Sequence, residues 1–112
     1  MERSIENNLY LDFYGNLLTE KQREIMTLYY DLDISLSEIA SEVKTSRQAV
    51  YDAIKVSENL MSSFEQKLGL VEKYLNNRKL LLEVLDEIDN VSNQEKSFAK
   101  IKSNINKVLE NQ

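Results

Sequence analysis

The chain contains no proline, and its only glycines are Gly15 and Gly69. Strand-rich domains need turn-forming residues about every 8 to 12 positions. A chain this poor in them is expected to be all-α, with helices joined by short loops. At 112 residues, 42% hydrophobic and 29% charged, it has the make-up of one folded domain. A helical extension fits within that length, but two full domains do not.

Hydrophobic spacing predicts about six helices. Ile5, Leu9, Tyr10, Phe13, Tyr14 and Leu17 recur every three or four residues and mark one face of a first helix, with Gly15 near its end. Thr19-Glu20-Lys21-Gln22 has the pattern of a capping box, in which a hydroxyl and an amide side chain satisfy free N–H groups at a helix start. A second helix is therefore expected through Ile25, Leu28, Tyr29 and about Tyr30. Asp31 and Asp33 mark a turn. Ser35-Leu36-Ser37-Glu38 is a second capping box, opening a short helix with Ile39, Ala40 and Val43 inward. After an interruption at Lys44 and Thr45, a helix starting at Thr45 or Ser46 carries Val50, Ile54, Met61, Phe64 and Leu68 on one stripe and ends near Gly69.

Beyond it, Val71, Leu75, Arg78, Leu82, Leu85 and Asp89 alternate four- and three-residue steps, with Tyr74, Leu81 and Ile88 widening the strip. Ser92-Asn93-Gln94-Glu95 is a third capping box, and Phe98, Ile101, Ile105, Val108 and Leu109 stripe a last helix, expected antiparallel to the one before it. This divides the chain into a helix-turn-helix domain over 1–69 and a C-terminal helical hairpin over 70–112. The hairpin is expected to pack on the core or on a second chain. Two helices form only a thin layer, which favours a homodimer.

Cysteine and histidine are both absent. That removes disulfides, thiolate and imidazole chemistry, and every metal site built from those ligands. Neither glycine lies in a carboxylate-rich calcium loop, and there is no glycine-rich phosphate cradle. No catalytic residues, bound metal or cofactor are expected. The opening Met1-Glu2-Arg3-Ser4 runs into polar residues and no apolar run approaches about 18 residues, so the chain is expected to be cytoplasmic, without membrane insertion.

The segment Ser35 to Lys55 carries the functional signal. A helix-turn-helix needs a small residue where its helices cross, which Ala40 supplies, with Ile39, Val43, Val50, Ala53 and Ile54 forming the core between them. The second helix then presents Ser46, Arg47, Gln48, Tyr51 and Lys55 outward, the candidate nucleic-acid-binding residues. Asp52 shares that face and would repel phosphate unless it accepts from a cytosine amino group. Lys44 occupies a turn position often filled by glycine, where a positive φ costs on the order of 1 kcal/mol. The net charge of −5 opposes strong non-specific nucleic-acid binding. The same tri-helical core can also be a scaffold with no nucleic-acid partner. The tyrosines Tyr10, Tyr14, Tyr29 and Tyr30 fall on apolar faces and are expected in the core, not as base-stacking platforms. Lys96, Lys100, Lys102 and Lys107 make the last helix locally basic.

Thr19-Glu20-Lys21-Gln22, followed by Leu36-Ser37-Glu38-Ile39-Ala40 and Ser46-Arg47-Gln48-Ala49-Val50, resembles the C-terminal helix-turn-helix domain of sigma factors over roughly residues 17 to 68. The whole chain, including LYLDFYGNLLTEKQ and SRQAVYDAIK, is similar to the YlxM family of small bacterial helix-turn-helix proteins. That resemblance implies a sigma-factor-like core and a regulatory role with the signal recognition particle pathway. DNA, RNA and signal recognition particle components are the implied partners, bound through the sigma-like module and the basic terminal helix. The alternative is a DNA-binding transcriptional regulator.

Overall fold

A computed structural model of the chain describes residues 3–91 and 96–111. The described residues form six α-helices: α1 (Ile5–Tyr14), α2 (Glu20–Met26), α3 (Leu36–Glu42), α4 (Arg47–Leu68), α5 (Leu70–Val91) and α6 (Lys96–Glu110). There is no strand among them. The chain divides into two compact units, 1–71 and 72–112, with α5 beginning in the first.

In the first unit α4 is the central element, and α1, α2 and α3 all pack on it. Its inward stripe of Val50, Ile54, Ser57 and Met61 is fully buried, against Tyr14, Met26, Tyr29 and Ile39. Burying each large apolar side chain contributes about 1.5–3 kcal/mol. The hydroxyl of Ser57 meets no apolar penalty because it donates to the Ala53 carbonyl one turn back at 2.8 Å.

Local chemistry sets the helix starts. Ser4 caps α1 by accepting from the Asn7 amide. Thr19 and Gln22 form both halves of the expected capping box. Ser35 accepts from the Glu38 amide, but the Glu38 side chain does not return the bond, so this box is half formed. The third expected box, residues 92–95, lies outside the described residues.

The first two helices are shorter than their hydrophobic pattern implied. α1 tightens after Tyr14 into a 3-10 turn over Gly15–Leu17, and α2 widens after Met26 into a π-helical turn over Thr27–Asp31. Ile5 and Leu17, expected on the buried face, are 90% and 56% exposed because they sit at the two ends, past the reach of α4. Thr27 O accepts Leu32 N–H in the five-residue π pattern, and the next two carbonyls of the turn find donors outside it: Leu28 takes Ile34 N–H, and Tyr29 takes the Arg3 guanidinium.

In the second unit the half-buried residues of α5 are Tyr74, Leu81, Leu85 and Ile88, while Leu75 and Leu82 are 48% and 46% exposed. Tyr74, Leu81 and Ile88, expected only to widen the strip, are thus the more covered residues, joined by Leu85 from the stripe itself. In α6, Phe98, Ile105 and Leu109 are half-buried, and Ile101 and Val108 are exposed. Lys102 Nζ lies 2.5 Å from Asp89 Oδ1, an ion pair that joins α6 to the end of α5.

Candidate nucleic-acid interface

The helix-turn-helix is α3, a four-residue turn and α4. Val43 is the C-cap of α3, and Lys44 adopts φ +58, the left-handed conformation expected there. The Thr45 N–H reaches back to the Ala40 carbonyl at 2.9 Å, the long-range bond of a Schellman motif. Ala40 is buried where α3 meets α4, together with Ile39, Val50 and Ile54. Any larger side chain at Ala40 would separate the two helices, which gives the small residue its reason.

Each of the five sequence-derived residues has a definite place. Ser46 is the N-cap of α4, and its hydroxyl oxygen accepts from Ala49 N–H at 3.0 Å. Arg47 follows in the first turn, exposed, and makes no hydrogen bond or ion pair among the described residues. Gln48 is exposed and donates through Nε2 to Asp52 Oδ1 at 3.0 Å. Tyr51 is half-buried and packs on the core, unlike its neighbours on this face. Lys55 pairs with Glu58 at 3.6 Å and sits 5.8 Å from the Tyr51 ring. The face thus carries two cations, each within a turn or two of a carboxylate.

Glu58 is held from behind as well, because the buried Tyr30 hydroxyl donates to its second oxygen. Burial and that hydrogen bond push the Tyr30 pKa well above the ordinary phenol value. Lys55 is therefore tied, through Glu58, to a residue of the core. On this face it is Arg47 that offers an uncommitted guanidinium, with the bidentate geometry that suits a guanine edge or a phosphate.

Sequence reasoning missed Arg3. Its Nε donates to the Tyr29 carbonyl at 2.8 Å, a terminal nitrogen donates to the Ile34 carbonyl at 2.9 Å, and Asp33 pairs with it at 3.0 Å. The guanidinium also lies 4.1 Å over the Tyr29 ring. Asp33 adopts φ +56, so Arg3 secures a left-handed turn immediately before the cap of α3. No local pattern flags this role, since the partners are 26 and 31 residues away.

Among the described residues no three carboxylates gather into a possible metal site, and no helix is long and apolar enough to cross a membrane.

Residues 1–104 match the sequence profile of the UPF0122 family, YlxM/p13-like helix-turn-helix proteins. A UPF0122 protein of Clostridium botulinum is 47% identical over 88 residues, 79% of this chain and 81% of that protein. One from Halalkalibacterium halodurans is 41% identical over 103 residues, covering 92% and 94%. Another, from Exiguobacterium sibiricum, is 49% identical over 89 residues, covering 80% and 83%.

Proposed function

The chain belongs to the UPF0122 family of YlxM/p13-like helix-turn-helix proteins, and we propose that it is a non-catalytic accessory regulator of the signal recognition particle pathway. It acts in the cytoplasm by binding nucleic acid or a protein component of that machinery through α3 and α4. The observation that supports the binding reading is the exposed first turn of α4, with Arg47 uncommitted and Gln48 beside it. The pathway itself rests on the resemblance to YlxM proteins.

The charge distribution weighs against strong duplex binding by the helix-turn-helix unit itself. Residues 1–71 hold seven basic and twelve acidic groups, so the helix-turn-helix unit carries the whole net charge of −5. Duplex affinity is dominated by phosphate neutralisation, and such a unit is poorly suited to it. The DNA-regulator reading keeps one observation in its favour: Arg47 and Gln48 occupy the part of the second helix that meets base edges in helix-turn-helix complexes.

The exposed side of the second unit supports assembly. Leu75, Leu82, Ile101 and Val108 are each 43–49% exposed, and a second copy would cover them. Light scattering of the full chain should give a dimer mass; a monomer at high micromolar concentration overturns this part.

The functional test presents the full chain with signal recognition particle RNA, with its purified protein subunit, and with a random duplex DNA library. Binding to the particle RNA or subunit, with no enriched duplex, is expected. Enrichment of one DNA sequence without affinity for either particle component would replace this reading by the DNA regulator.

A further inference from the structure

The helix-turn-helix unit holds the chain's acidic excess, whereas α6 contains four lysines and a single carboxylate, Glu110. These charges are not scattered round the helix. At about 100° per residue, Lys100 and Lys107 fall on one strip. The strip lies opposite the half-buried Phe98, Ile105 and Leu109. Lys100 and Lys107 are exposed and make no ion pair among the described residues, in contrast to Lys102, which is held by Asp89.

Beside this strip the helix carries short side chains. A shallow groove there is lined by Ala99, Lys102, Ser103, Asn106, Lys107 and Glu110, with a lysine on either side and the single carboxylate of the helix at its C-terminal end. Short side chains let a ligand backbone approach the helix closely, and Ser and Asn add hydrogen-bond donors suited to phosphate oxygens. Lys100 and Lys107 are separated by a rise of about 10 Å, so the two ammonium groups can meet two different phosphates of a duplex, whose charges repeat at about 3.4 Å along the axis on each strand.

We propose that the lysine face of α6 is a phosphate-contacting surface that holds the backbone of double-stranded nucleic acid without reading its bases. The inference rests on the reading of the protein as a nucleic-acid binder and assigns the electrostatic part of that binding to α6. An anionic membrane is the lesser fit. A helix lying in a bilayer interface must insert its apolar face, and the apolar residues of α6 are already half-buried within its own unit.

The test measures fluorescence anisotropy of a labelled hairpin RNA and a labelled duplex DNA against the full chain over a salt series. The paired substitution Lys100→Gln with Lys107→Gln should weaken binding about tenfold at low salt, and flatten the slope of log affinity against log salt by about 1.5 to 2 units. Lys100→Arg with Lys107→Arg should retain both. Lys21→Gln with Lys67→Gln removes the same charge from residues 1–71 and should change neither. Equal weakening by that control pair would reduce the effect to net charge and overturn the assignment. So would unchanged binding by the α6 glutamine pair; if Arg47→Ala then weakens binding, the nucleic-acid reading survives with α4 as its phosphate surface. A full chain that binds neither RNA nor DNA overturns the nucleic-acid reading as well. Affinity confined to phosphatidylserine vesicles would make the face a membrane contact and end the proposal.

Discussion

The hydroxyl of Tyr14 donates to Glu65 Oε1 at 2.5 Å and in turn accepts the Leu70 amide at 3.1 Å. The same carboxylate oxygen accepts the Val71 amide at 3.0 Å. One buried phenol and one carboxylate thus join α1, the end of α4 and the beginning of α5. The corner they brace turns at Gly69, which adopts φ +62. The first amides of α5 have no intrahelical partners, and here two of them are satisfied by side chains of the helix-turn-helix unit.

Tyr14→Phe removes the donor to Glu65 and the acceptor for Leu70 together. Hydrogen bonds to charged groups contribute about 1.5–3 kcal/mol each when buried, so a loss in that range is expected in urea unfolding. Tyr10→Phe removes a bond to Glu6 at the exposed surface and should have the smaller effect. Equal effects would mean that the corner contributes nothing beyond an ordinary surface bond.

Arg3→Ala strips the Tyr29 and Ile34 carbonyls of their guanidinium donor and leaves the positive φ at Asp33 unsupported. A destabilisation of about 1–3 kcal/mol is expected. Arg3→Lys should recover only part of it, since an ammonium cannot span both carbonyls and stack on the Tyr29 ring. Full recovery with lysine would show that charge alone matters at this position.

Two alanines flank the turn of the helix-turn-helix and separate packing from helix propensity. Ala40 is 7% exposed at the crossing of α3 and α4, while Ala49 is exposed on α4. Ala40→Leu should lower stability by about 1–3 kcal/mol through overpacking. Ala49→Leu should stay within about 0.5 kcal/mol of the parent. Thermal melts of the two variants decide the matter directly.

Alkaline pH should unfold the protein through its tyrosines. Hydrogen bonding to Glu6 pushes the Tyr10 pKa up to about 12, and burial followed by a carboxylate bond raises those of Tyr14 and Tyr30. Because each folded pKa lies above the ordinary phenol value of about 10, their contribution is fully present below pH 10 and is lost as pH climbs through the folded values. Phenolate absorbance should therefore rise later in native protein than in urea-unfolded protein. Coincident titration curves would contradict the buried carboxylate bonds.

On the reading face, Arg47→Ala should weaken nucleic-acid binding more than Lys55→Ala. Arg47 is uncommitted, whereas Lys55 already pairs with Glu58. The reverse order in a filter-binding series would place the contact further along α4.

The features legible in the sequence are those settled within one or two helical turns. Ser35, Ser46 and Thr19 each cap a helix by binding an amide three residues ahead, so the cap and its partner are read together. Gly69 and Lys44 take left-handed conformations where the helical period breaks, and Ala40 marks a crossing by its size. The five reading-face residues follow from the same periodicity, although Tyr51 was legible only as far as its face, since its half-burial depends on the neighbouring helices. The choice between Leu75 and Leu82 on one side of α5 and Leu81, Leu85 and Ile88 on the other was not legible either. Both sets are apolar at helical spacing, and only the position of a neighbouring helix distinguishes them.

By itself, then, the sequence determined an all-α chain, its caps and its helix-turn-helix, because backbone hydrogen bonding and the 3.6-residue period act over short separations. The tertiary structure decided which carboxylates answer the tyrosines, where Arg3 docks and which apolar flank is covered. Those contacts join residues as far apart as Tyr14 and Leu70, separated by 56 positions. Their formation depends on how α1, α2 and α3 settle around α4, which no local spacing encodes.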